Sequence, residues 1–202
     1  TSHEPFDFDG RFYQVHKTDI NPKPYGGGQP LVVCAGNSER GRDFAARNAD
    51  MMFTNLRMDL DEVPGNTSAL KELAAGYNRG IGVFSNVAVT CRPTKKEAEE
   101  YFQYYAVENA DWDAAENMIV GRGIVKPGMT EEMHQAARIR AAAGNGALPI
   151  VGDPDDVVAM MKRLSECGIS ALAMGFTNYL EHFPYFRDEV LPRLVHEGLR
   201  TG

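Results

Sequence analysis

The sequence predicts an α/β fold built on a parallel sheet, either half of an eight-stranded barrel or a small open doubly wound sheet. Three observations carry this. Apolar runs of strand length recur at Leu31–Ala35, Ala49–Thr54, Val83–Cys91 and Ala171–Phe176. Each is followed by a stretch with helical periodicity, which is the rhythm of βα units. Each run also ends in small polar residues: Gly36-Asn37-Ser38, Thr54-Asn55, Cys91-Arg92 and Gly175-Phe176-Thr177-Asn178. In either fold, ligands gather at the carboxyl ends of parallel strands.

The elements follow in order. Arg11-Phe12-Tyr13-Gln14-Val15 alternates as a short hairpin or edge strand, then prolines and glycines make a loop. Leu31–Ala35 reads as a buried strand, and Arg42–Asn48 as a short helix turning Phe44 and Ala45 inward. After the second strand, a cap region leads into a helix over Ser68–Tyr77. Val83–Cys91 is long and β-branched, with Asn86 unexpected in its middle. Thr94 with Glu97 three residues later forms a capping box, and a strongly helical stretch runs on to Ile119. The glycine- and proline-rich break near Gly121–Met129 separates it from a helix over Glu131–Ala143. The stretch Gly144–Gly152 reads as a loop, and Asp153-Pro154 starts a helix with Val157, Val158, Met161 and Leu164 on one face. A final helix turns Phe186, Val190, Leu191 and Leu194 inward, Pro192 marking a kink or a late start.

Composition narrows the function classes. At 202 residues, 43% hydrophobic and 24% charged, the chain has the balance of a globular protein with a real core. A net charge of −7 argues against a nucleic-acid surface. No apolar stretch approaches the ~20 residues of a membrane span. The start does not read as a signal peptide, and Thr1 is not an initiator methionine. Cys34, Cys91 and Cys167 lie far apart, and two fall in apolar runs, so they read as small thiols in a reducing, cytoplasmic compartment. No cysteine or histidine spacing suggests a metal. No GxGxxG or P-loop is present, which weakens the nucleotide reading of an open sheet.

The turn Gly36-Asn37-Ser38-Glu39-Arg40-Gly41 joins strand to helix with no linker. Such a turn aims backbone amides and a hydroxyl at one point over the positive end of a helix, where a phosphate would sit. An ordinary N-cap at Asn37 or Ser38 explains the same residues.

The segments "FDGRFYQV…NPKP", "VVCAGNSERGRDFAARNADMMFT", "VTCRPTKKEAE", "PIVGDPDDVVAMMKRLSECGISALAMGF" and "NYLEHFPYFRDEVLPRL" together resemble the carboxyl-terminal half of a bacterial luciferase-like flavin-dependent monooxygenase. The likeness runs in family order over nearly the whole chain and points to the pyrimidine, alkanesulfonate and sulfone monooxygenase branch. It implies strands five to eight of a (β/α)8 TIM barrel, so that 1–202 is a single partial domain. It also implies that 93–146 is a helical insertion or lid. It implies reduced FMN, delivered by a separate flavin reductase, with O2 adding to it to give a flavin (hydro)peroxide that oxygenates a small organic substrate. Asn37, Ser38 and Gly41 are the positions expected to hold the FMN phosphate, Gly41 by letting the backbone approach it; Arg40 and Arg42 could add charge or be solvated. Relatives of the alkanesulfonate type carry an arginine and a histidine where this chain has Asn86 and Ala88, so that pair's role does not transfer. The tyrosine that some relatives carry falls near Thr177, with Tyr179 close by, and no catalytic residue follows from it. A half barrel leaves open edges, so a complementary amino-terminal half or a homo-oligomer is expected. Two further readings stay open: a deazaflavin-dependent oxidoreductase of the same fold, and a non-catalytic half that completes or stabilises a partner.

Overall fold

The computed structural model describes residues 4–56 and 59–201, in two compact units divided after Val32. The first carries a hairpin of β1 (Phe6–Asp9) and β2 (Gln14–Thr18), antiparallel with Phe8 opposite Val15. The expected alternation at Arg11–Val15 is a turn for its first three residues, closed by the Gly10 amide donating to the Tyr13 carbonyl at 2.9 Å.

The second unit is a parallel sheet of β3 (Val33–Cys34), β4 (Met51–Phe53), β5 (Gly82–Cys91), β6 (Leu148–Gly152) and β7 (Ala171–Gly175). The four strands read from the sequence are parallel and adjacent in the order β3-β4-β5-β7. The fifth, β6, replaces the expected loop at 148–152. Pro149 disguised it, since proline lacks the amide a central strand needs and is tolerated at an edge. Phe84 pairs with both Phe53 and Ala171, and Val87 with both Leu148 and Met174. Thus β4 and β6 lie end to end along one side of β5, with β7 on the other.

Helices cover one face of this sheet. They are α1 (Glu39–Asn48), α2 (Val63–Ala75), α6 (Pro154–Glu166), α7 (Tyr179–Glu189) and α8 (Leu191–His196). Met52, Val83, Val87 and Val89 meet Leu70, Val157, Leu164 and Phe186 in the main core. The alternate residues face away from these helices: Val33 is 47% exposed, Ala171 and Ala173 are exposed, and Phe53, Phe84 and Asn86 are half-buried. Leu31–Ala35 is therefore only half the buried strand expected, since period-two alternation leaves its other face uncovered.

Several helix boundaries move. The first helix begins at Glu39, three residues early, because Ser38 rather than a later residue caps it. Phe44 is 58% exposed, not inward; Ala45, Ala46 and Ala49 form the contact face and let the helix sit close on the sheet. The second begins at Val63 because Pro64 fits a first turn, where its missing amide is not needed. The long stretch after Thr94 breaks into α3 (Lys95–Gln103), a π-helical turn at Tyr104–Glu108, and α4 (Trp112–Gly121), which Asp111 caps anew. The capping box at Thr94 and Glu97 is formed. After the break comes α5 (Glu131–Gly144), closed by Asn145 in the left-handed region at φ 58°. Pro192 sits in the first turn of a new helix, α8, which is the late start expected.

Candidate functional site

The strand ends gather two groups of polar side chains. At the end of β3, Ser38 caps α1, its Oγ accepting the Gly41 amide at 3.1 Å. The Glu39 and Arg40 amides, first in the helix, have no hydrogen-bond partner among the described residues. This is the usual state of a helix start. The Ser38 hydroxyl keeps its own hydrogen free to donate, so the turn offers three donors under a helix dipole. That donor set suits a phosphate monoester. Gly41 also has a packing role. A Cβ there would stand 2.7 Å from the Gly36 carbonyl oxygen and 2.8 Å from its carbon, so Gly41 keeps α1 pressed against the end of β3. Asn37 turns to a neighbouring cleft of about 230 Å3, shared with Thr54 and Asn55 from the end of β4. Arg42 lines that cleft and donates to the Asn66 carbonyl at 3.0 Å; Arg40 is exposed.

A second group joins the ends of β5 and β7, and the sequence did not foretell it. Arg92, just after β5, donates from Nη2 to His182 Nε2 at 2.9 Å and from Nη1 to the Cys91 carbonyl at 3.0 Å. Its guanidinium carbon lies 4.0 Å over the ring of Tyr101 on α3, a cation–π contact. His182, on α7, is 6% exposed, and its Nδ1 lies 3.3 Å from Thr177 Oγ1. The Tyr101 hydroxyl lies 3.3 Å from that same oxygen. Beside this group a cavity of about 300 Å3 is lined by Asn86, Ala88, Tyr105, Ala173 and Thr177, among others. The Tyr105 hydroxyl is tied to Thr90 Oγ1 at 3.0 Å, and Tyr179 Oη donates to the Met174 carbonyl at 3.2 Å.

Electrostatics divides these groups by role. Burial pushes the Cys91 thiol up to about 11, which leaves it protonated and unreactive at neutral pH. Burial, and then the Arg92 charge, hold the His182 imidazole below its ordinary value of 6.5, against a smaller opposing pull from Glu181. The sign of the pH effect follows. The unfolded chain takes up a proton at His182 near 6.5 while the folded chain does not. Stability is therefore complete above that pH and declines as pH falls from it toward the folded value. Urea unfolding at about pH 8 and about pH 5.5 should show wild type losing more on acidification than His182→Asn. Equal losses would place His182 outside this linkage.

Among the described residues no cluster of His, Cys, Asp and Glu could hold a metal ion, and no helix is long and apolar enough to cross a membrane. The sequence profile described as luciferase-like monooxygenase matches residues 1–171. The chain belongs to the luciferase-like monooxygenase family. Within it, the chain is 26% identical over 204 residues to an FMNH(2)-dependent dimethylsulfone monooxygenase of Pseudomonas fluorescens, covering 97% of this chain and 54% of that one. It is 25% identical over 194 residues to the pyrimidine monooxygenase RutA of Allorhizobium ampelinum, covering 92% and 52%. The chain thus spans about half the length of the curated relatives it matches. A solved riboflavin lyase, crystallised with modified FMN and riboflavin, shares the fold at a TM-score of 0.78 and 19% identity, over 98% of this chain and 49% of that one. Family membership thus agrees with the resemblance read from the sequence.

Proposed function

We propose that this chain is a partial domain: strands five to eight of a luciferase-like (β/α)8 TIM barrel, supplied by β3, β4, β5 and β7. Two features support this. On the face away from the main core only the end of β5 is covered, by α5 and Tyr105, while Val33, Ala171 and Ala173 stay exposed. Among the described residues β3 pairs with β4 alone and β7 with β5 alone. A complementary amino-terminal half or a second copy would cover the open face and edges. The stretch 93–146 is the helical insertion, acting as a lid; α4 and α5 pack together through Ala115, Ile119 and Ala141, apart from the main core.

The whole protein, on this reading, is a cytoplasmic reduced-FMN-dependent monooxygenase that inserts one oxygen atom of O2 into a small organic substrate. A separate reductase supplies the flavin. The observation that carries it is the capped turn after β3 in a chain similar to FMNH(2)-dependent enzymes. The Ser38 hydroxyl and the Glu39 and Arg40 amides would hold the phosphate, with Asn37 bordering it and Gly41 letting the backbone approach it. Bound reduced FMN supplies the activation of O2; the chain's own residues anchor the cofactor, orient it and exclude water.

The test is titration of the intact protein with reduced FMN. Hydrogen bonds to charged groups contribute about 1.5–3 kcal/mol, so Ser38→Ala should weaken binding about ten- to a hundred-fold. Unchanged affinity would reduce Ser38 to a helix cap. Turnover with a deazaflavin and without O2 would favour the hydride-transfer reading instead. Flavin binding without turnover in the assembled protein would favour a silent half.

A further inference from the structure

Arginine donates hydrogen bonds and accepts none. Nε2 of His182, 2.9 Å from Arg92 Nη2, is therefore an acceptor, and the imidazole is neutral with its proton on Nδ1. Nδ1–H then donates to Thr177 Oγ1, 3.3 Å away. Both ring nitrogens are engaged, so His182 has no lone pair with which to take a proton from a ligand. This is the reverse of a catalytic histidine backed by a carboxylate, which is set up to become cationic. Its consequence falls on Thr177. Thr177 Oγ1 accepts from His182, so its own hydrogen is left to donate, to the Tyr101 hydroxyl at 3.3 Å or into the cavity it lines.

The cavity's other polar groups are few. Tyr105 is tied to Thr90, and Asn86 brings an amide. No Lys, Arg, His, Asp or Glu lines it among the described residues. The walls this chain supplies offer an anion no counter-charge, whereas a neutral molecule with an acceptor oxygen would meet a directed hydroxyl. The charged and titratable groups facing His182 are Arg92 after β5, Tyr101 on α3, and Glu181 on its own helix at 3.9 Å from Nε2.

We propose that Thr177 is a substrate-binding hydroxyl for a neutral molecule bearing a carbonyl or sulfonyl oxygen, and that Arg92 and His182 are positioning residues that fix it as a donor. This rests on the monooxygenase reading for the identity of the ligand, but not for the direction of the hydrogen bonds.

The first measurement is the imidazole tautomer of His182 in 15N-histidine-labelled intact protein. The expected spectrum is a single neutral Nδ1–H form at neutral pH. In Arg92→Met it becomes a tautomer mixture that protonates at higher pH, a signature that loss of packing alone would not give. An Nε2–H or cationic His182 in the wild type would overturn the proposal. The second measurement compares two probes of similar size, dimethyl sulfone and methanesulfonate, by shifts at the Thr177 and Asn86 amides. Dimethyl sulfone should bind more tightly. Thr177→Val should weaken it about fivefold, the effect of one neutral hydrogen bond, and Thr177→Ser should restore it. Tighter binding of methanesulfonate, or no effect of Thr177→Val with the fold intact, would overturn the proposal. Failure of reduced FMN to respond to Ser38→Ala would sink the cofactor reading while leaving these results standing.

Discussion

Phe186→Ala is expected to lower stability by about 3–5 kcal/mol, the range for emptying a large aromatic site. Phe186 has no exposed surface and joins α7 to the sheet. Its ring centroid lies 5.3 Å from Phe176 at 69° and 6.4 Å from Phe183 at 22°, so truncation removes two aromatic contacts besides the buried area. Phe176 also holds Tyr179 at 5.5 Å and precedes Thr177, so the cavity wall loses its support with the core. For a chain of this size the loss corresponds to a fall in melting temperature of about 6–20 °C. Scanning calorimetry checks this. A fall under about 2 °C would mean that neighbouring side chains collapse into the space.

What the sequence made legible, and what it hid, divides along physical lines. Strands β4, β5 and β7 announced themselves because apolar runs of strand length, bounded by small polar residues and β-branched in β5, have few other uses. β6 did not, since Pro149 interrupts its run and only an edge position tolerates that. Phe44 was misplaced because helical periodicity says which residues share a face but not which face turns inward; the smaller alanines won by allowing close approach. Ser38 was readable because a cap lies in consecutive residues. The Arg92–His182–Thr177 group was not, for its first two members are 90 positions apart and meet only because β5 and β7 pair in parallel. A polar Cys91-Arg92 step at a strand end was the available signal, and a lone histidine on a helix has a structural reading of equal standing.

Gly41→Val is expected to destabilise the protein by about 1–3 kcal/mol with no flavin present. Neither Gly36 nor Gly41 adopts the left-handed region, so glycine is required here for space and not for conformation. A Cβ on Gly41 meets three Gly36 backbone atoms within 2.8 Å, and a Cβ on Gly36 meets Gly41 Cα at 2.9 Å. Backbone cannot rotate aside as a side chain would, so β3 and α1 must separate, and valine adds two methyl groups to the collision. Ser38→Ala acts otherwise. It removes a cap contributing about 0.5–2 kcal/mol and one donor, and leaves the approach of the helix to the strand unchanged. Denaturant unfolding without flavin, followed by titration with reduced FMN under conditions where both variants are folded, separates the two. If Gly41→Val is as stable as wild type, the turn yields by a few tenths of an ångström and the paired glycines have a reason beyond packing. If it is destabilised while Ser38→Ala alone loses FMN affinity, glycine builds the turn and the hydroxyl with its neighbouring amides holds the anion.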